Sequence, residues 1–187
     1  MAIESSVVSA PLLSGADLAE LVGIEPCELV EGRIVPMSPT GYEHGLIENA
    51  LGAELRAFAQ AHKLGKVLVG EVGIYTHCNP DTIRAADVLF ISNARYTQRQ
   101  SKSYLDVAPE LVVEIMSPGD AWADAMRKLR EYFAIGVLLV WVVDPAARVV
   151  YANRSMTDIR EFASGSELPG DAILPGFSVA VAQLFEE

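Results

Sequence analysis

Three short runs of almost unbroken apolar character constrain the fold of this chain more than any other feature. They are RAADVLFIS at 84–92, ELVVEIM at 110–116 and VLLVWVV at 137–143. A strand with one wet face alternates polar and apolar residues, whereas a strand covered on both faces reads as a continuous apolar run. These segments are too short for ordinary helices, so they predict interior strands of a central sheet with other layers packed against it.

The layers are legible on either side of those runs. Within residues 40–62, Leu46, Ile47, Ala50, Leu51, Leu55 and Phe58 recur at helical spacing and predict a long amphipathic helix. A second begins after Ser117-Pro118-Gly119-Asp120, carries an inner stripe of Trp122, Ala125, Met126, Leu129, Tyr132 and Phe133, and stops near Gly136. Residues 66–71 and 72–76 also read as strand-like runs, and with three of the four runs between the helices as its strands the core order is helix, three strands, helix, strand in a mixed α/β protein. Ahead of this core, Ser14 and Asp17 start a short capped helix through Leu18, Leu21 and Val22 to Gly23, and residues 27–37 form a hairpin about Glu31-Gly32-Arg33. Behind it, Asp144-Pro145 turns into an antiparallel strand at 148–153, followed by a strand at 159–162 and a short final helix. No internal repeat appears, and the expectation is one domain over 1–187, with a core at about 28–153, an N-terminal extension at 1–27 and a C-terminal extension at 154–187.

Charge narrows the function. Lys and Arg number 14 against 25 Asp and Glu, a net charge of −11. That is the wrong sign for a protein that coats nucleic acid electrostatically, so any nucleic-acid site must be local. No stretch reaches the ~18 apolar residues of a membrane span, and residues 1–13 lack the basic start and apolar core of a signal peptide, which reads as cytoplasmic. Cys27 and Cys78 are far apart and fit reduced, structural residues better than a disulfide or zinc framework.

Asp87 and Glu114 interrupt two of the buried runs. A buried carboxylate without compensation is costly, so such groups are paired, protonated or bound to a cation. Two on neighbouring strands can share a divalent ion through oxygen, as Mg²⁺ prefers with retained waters, or each can satisfy a buried Arg or Lys; spacing leaves both open. Lys128 lies on the flank of the second helix's inner stripe, able to reach the Glu114 strand or to pair with Asp124 one turn earlier. His44 near the start of the long helix suits either packing or chemistry. Glu28, Glu31, Glu43 and Glu48 are possible third carboxylates, and His62 and His77 lack metal-ligand spacing. No nucleotide-loop, dinucleotide, serine-hydrolase or zincin motif is present. The basic stretch RYTQRQSK at 95–102 is the best local candidate for a phosphate contact.

Together ELVEGRIVPMSP, His44, RAADVLFIS, APELVVEIMSPGDAW, RKLREYFAIGVLLVWVVDP and LPGF resemble the Uma-type endonuclease family of the PD-(D/E)XK, restriction-endonuclease-like superfamily, over residues 28–185. The resemblance implies a restriction-endonuclease-like α/β core and a metal-dependent endonuclease that hydrolyses phosphodiester bonds in nucleic acid, DNA first. It implies Mg²⁺ or Mn²⁺ held by Asp87, Glu114 and the carbonyl of Ile115, with Lys128 and His44 as further catalytic groups. Arg84, Arg95, Arg99 and Lys102 would steer the backbone, and a homodimer would form through a sheet edge in the tail. In this chain Met116 stands where the superfamily lysine usually does, with Lys128 in its place, and Ala86 replaces the usual proline before the aspartate. The alternatives are a catalytically inactive nuclease-fold binding module, or hydrolysis of another phosphoester.

Overall fold

Residues 11–186 are described by a computed structural model. Helix α1 (Gly15–Glu20) is closed by a capping box in which Ser14 and Asp17 bond each other's backbone. Leu18 is buried, but Leu21 and Val22 lie beyond the helix and are exposed, so the apolar pattern overextends it. Strands β1 (Cys27–Val30) and β2 (Arg33–Pro36) form the expected hairpin, its turn built on Glu31 and Gly32, both at positive φ. Helix α2 (Tyr42–Ala61) follows, with Ile47, Leu51 and Leu55 turned inward. Leu46, part of the sequence pattern, faces solvent.

The two strands expected at 66–76 are one long strand, β3 (Gly65–His77), paired antiparallel along all of β4 (Thr82–Ser92). The register slips between Val69 and Val72, which pair with Val88 and Ala86, so Gly70 and Glu71 together oppose Asp87. This is a β-bulge, with both bulged residues at positive φ. A short helix α3 (Asn93–Tyr96) takes in only the first two residues of the basic stretch at 95–102, and β5 (Leu111–Ile115), helix α4 (Trp122–Ile135) and β6 (Leu139–Asp144) complete the core order. Gly136 ends α4 in the left-handed conformation, at φ 97°. Trp122, assigned to the inner stripe, is partly exposed, while Ala125, Leu129 and Tyr132 are buried. Beyond lie β7 (Val149–Asn153), β8 (Ile159–Ala163), β9 (Glu167–Pro169), β10 (Ser178–Ala180) and a 3₁₀ turn at Val181–Phe185 in place of the final helix.

Eight strands form one mixed sheet. β5 and β6 are parallel, as a crossover through α4 requires, and the other pairs are antiparallel. Helix α2 packs with Val88, Phe90, Val113 and Trp141 on one face, and α4 packs with Leu89, Val112, Val140 and Val142 on the other. Two buried faces explain the unbroken apolar runs.

One feature of the topology creates the site. The edge of β4 opposite β3 is shared: β1 pairs with it at Ile83 and β5 at Val88, Leu89 and Phe90. Between these points Arg84, Ala85, Ala86 and Asp87 lie in a fork with no strand partner on that edge. Ala86 packs with the α4 layer and Val88 with the α2 layer, so the pleat alternation breaks at Asp87.

Candidate active site

Unpaired backbone in a buried fork must find side-chain partners, and the residues that supply them are the polar groups in question. Glu28, from β1, accepts the Ala85 N–H through Oε1 at 3.0 Å. Asp87 accepts the Ile115 N–H through Oδ2 at 2.6 Å, tying β4 to β5 where the ladder opens. Ile115, expected to offer its carbonyl, thus has a definite role through its amide.

Glu114 is gripped from α4 by two residues one turn apart. Tyr132 Oη donates to Oε1 at 2.6 Å, and Lys128 Nζ donates to Oε2 at 2.9 Å. Lys128 Nζ also stands 3.0 Å from Glu28 Oε1. It does not pair with Asp124, which takes Arg127 instead. The buried guanidinium of Arg84 continues the chain, donating to Glu28 Oε2 at 2.8 Å and forming a bidentate fork with Glu131 at 2.6 Å on both oxygens.

His44, at the third position of α2, closes the other side. Its Nε2 lies 3.3 Å from Asp87 Oδ1, and its Nδ1 lies 3.2 Å from Ser117 Oγ. The Asp87 approach is within ion-pair distance but off the hydrogen-bond line, so Nε2 is buried without a hydrogen-bond partner. Burial pulls the His44 pKa down, but the Asp87 carboxylate, with Glu48 and Glu71 further away, outweighs it and leaves the imidazole raised.

The cluster is therefore short of positive charge. Glu131, Glu28, Glu114 and Asp87 face two fixed cations, Arg84 and Lys128, and among the described residues no Lys or Arg pairs with Asp87. Burial raises the Glu114 carboxyl more than Lys128 and Tyr132 lower it, and the Asp87 carboxylate adds to the rise, which reaches about 7. Glu48 is also raised, by burial and then by Asp87, although it accepts the Gly70 N–H of the bulge at 2.6 Å. Among the described residues no three His, Cys, Asp or Glu side chains form a closed metal cage. Two neighbouring carboxylates suit instead a hard cation that keeps much of its water, such as Mg²⁺ or Mn²⁺.

The structure thus brings together Asp87, Glu114, Lys128 and His44. The arginines expected to steer the backbone are engaged by other groups. Arg84 is consumed by Glu28 and Glu131, and Arg95 binds Glu110 and the carbonyls of Ala108, Pro109 and Gly136. Arg99 stacks on Tyr96 and donates to its carbonyl. Both cysteines are free, but Cys78 is exposed at the β3–β4 connection and does not pack as a buried residue. Tyr132 and Glu131 were not singled out as polar partners from sequence. A tyrosine in an otherwise apolar helical stripe does carry a signal, because a buried phenol needs an acceptor.

A family model described as "Uma2: Putative restriction endonuclease" matches residues 21–182. Among solved structures, one titled a putative nuclease, from Anabaena variabilis, superposes with a TM-score of 0.74 at 17% identity, covering 91% of this chain and 96% of that one. At that identity the likeness bears on the fold. No curated protein matches, and among the described residues no helix is long and apolar enough to cross a membrane.

Proposed function

Because the chain belongs to the Uma2 family, we propose that it is a divalent-metal-dependent endonuclease that hydrolyses phosphodiester bonds in nucleic acid, DNA in the first place. The observation that carries this reading is the pair of buried carboxylates at the β4–β5 fork, Asp87 facing His44 but, among the described residues, no Lys or Arg, and Glu114 raised to about 7. Such a pair is costly unless a cation joins it.

Asp87 and Glu114 would hold Mg²⁺ or Mn²⁺, with the Ile115 carbonyl as a third oxygen. When bound, the ion supplies Lewis acidity and a more acidic bound water. The chain's own groups do the rest. The Ile115 amide and His44 fix Asp87, while Tyr132 fixes one oxygen of Glu114. Lys128, shared between Glu114 and Glu28, directs the attacking water and offsets negative charge that develops on the phosphate oxygens. The attacking water releases a proton to solvent as its oxygen bonds to phosphorus, the bond from phosphorus to the ester oxygen breaks, and the leaving oxygen takes a proton from solvent. A homodimer through the free edge of β8 would present two such centres to one substrate.

The test is cleavage of plasmid and oligonucleotide DNA by the whole chain in Mg²⁺ and in Mn²⁺, beside folded Asp87→Ala and Glu114→Ala. Cutting by the wild type alone supports the reading. No cutting by the wild type in either metal, or cutting retained in both variants, rejects it.

A further inference from the structure

A cavity of about 300 Å³ opens beside the carboxylate pair, and none of the groups above accounts for it. Its walls are the first turn of α2, the loop after β5 and the turn after β6. It therefore lies outside the C-terminal ends of the two parallel strands, where open α/β sheets place their ligands. His44 belongs to both places: it lines the cavity and stands 3.3 Å from Asp87. Whatever fills the cavity sits one side chain away from the candidate centre.

The lining limits what that occupant can be. Tyr42 presents a largely exposed ring, and Met116, Pro118 and Pro145 add flat apolar surface. Apart from His44, whose imidazole faces Asp87, the charged groups are the carboxylates of Glu43 and Asp144, and no Lys or Arg lines the space. Among the described residues neither carboxylate is in a salt bridge, and Asp144 spends one oxygen on the Ala147 N–H at 3.1 Å. Phosphate would be repelled here. A flat aromatic body with amino hydrogens at its edge is complementary, since carboxylates accept from the exocyclic amines of bases and aromatic side chains stack on their faces. The volume is at the small end for ligand pockets.

We propose that this cavity receives the base of an unpaired nucleotide flanking the scissile phosphodiester, stacked on Tyr42 with its amino edge toward Glu43 and Asp144. The inference rests on the nuclease reading and adds a substrate class, nucleic acid with an unpaired nucleotide at the cut. A base inside a duplex cannot enter such a pocket without leaving its stack. With a net charge of −11, the chain also gains little from phosphate attraction, so base stacking supplies affinity that electrostatics does not.

The test is a fluorescence titration of the whole chain against three DNAs with 2-aminopurine at one position: a single strand, the same strand fully paired, and a duplex with the 2-aminopurine unpaired in a bulge. The expected result is a fluorescence change and roughly ten-fold tighter binding for the unpaired probes. About ten-fold of that affinity disappears in Tyr42→Ala, the order of one base–aromatic stack. Ala146→Phe, which fills the cavity from the opposite wall, removes the preference independently. Equal affinity for paired and unpaired probes, no binding of any probe, or unchanged binding in both variants overturns the proposal. Hydrolysis of bis(p-nitrophenyl) phosphate, a phosphodiester without a nucleobase, is measured alongside on the wild type. If the wild type hydrolyses neither this diester nor DNA, the nuclease reading fails, and the fluorescence titration still decides the cavity.

Discussion

Arg84 is a structural residue in this fold, and replacing it measures how much the buried ion network contributes. Its side chain is only 5% exposed and is held by Glu28 at 2.8 Å and by both oxygens of Glu131. Arg84→Met keeps the aliphatic stem and removes the charge. Glu28 retains Lys128 and the Ala85 N–H, but Glu131 keeps only the Thr76 hydroxyl at 3.0 Å. Breaking a buried pair from one side costs ~3–5 kcal/mol. The remaining partners of Glu28 and the partial exposure of Glu131, 24%, place the cost near the lower end, about 3 kcal/mol. For 187 residues the unfolding entropy is roughly 0.4 kcal/mol per degree, so Tm should fall by about 8 °C. Urea unfolding followed by tryptophan fluorescence reads the free energy directly. Arg84→Met/Glu131→Leu removes the stranded charge and should recover half or more of the loss, because a buried pair replaced by apolar groups is often near neutral. A cost below about 1 kcal/mol for the single variant, or a double variant no more stable than the single, would refute the structural role.

Further outcomes follow from the same geometry. Lys128→Met should lower kcat for phosphodiester cleavage by about 10²–10³-fold with little change in KM, the range seen when one preorganised charge stabiliser is lost; steady-state kinetics on a labelled oligonucleotide checks this. Burial alone would raise the Glu28 carboxyl, but Lys128, Arg84 and the Ala85 N–H outweigh it and hold the folded value below 4.5. A depressed carboxylate stabilises the fold above its unfolded value and loses that contribution as pH falls from 4.5 through the lower folded value. Glu28→Gln should accordingly flatten the loss of stability in that acid window, measured as urea midpoints against pH. Gly70, at φ 88° in the bulge facing Asp87, should cost about 1–2 kcal/mol when changed to Ala, whereas Gly41→Ala at α2's N-cap, with an extended backbone and open space around it, should cost less; urea midpoints for the two variants make the comparison.

The layered core and the two central carboxylates were legible because burial leaves a strong imprint. An apolar run interrupted once by Asp87 or Glu114 stands out, and so does the crossover helix between parallel strands. What escaped the sequence was pairing across elements. The Arg84–Glu28–Lys128 chain joins β4, β1 and α4, residues up to a hundred positions apart, and no local spacing encodes it. Arg84 therefore looked free to meet a phosphate although two carboxylates hold it. Lys128 had an equally good local partner in Asp124, and only the packing of α4 on the sheet shows that Arg127 takes that partner instead. The bulge at Gly70-Glu71 was read as a break between strands because a left-handed pair of residues looks like a turn; pairing with β4 makes it an interruption within one strand. The three-residue strands β9 and β10 are too short to carry a periodic signal.

The central claim is that Asp87 and Glu114 together hold a divalent cation, and Mn²⁺ titration of the wild type, Asp87→Ala and Glu114→Ala by calorimetry or paramagnetic broadening tests it without choosing a substrate. The expected result is about one ion per chain in the wild type and none in either folded variant, as two-carboxylate coordination requires. No binding by the wild type even at about ten millimolar Mn²⁺, far above the working range of hard-cation sites, would contradict it and leave the carboxylate pair as part of a binding module.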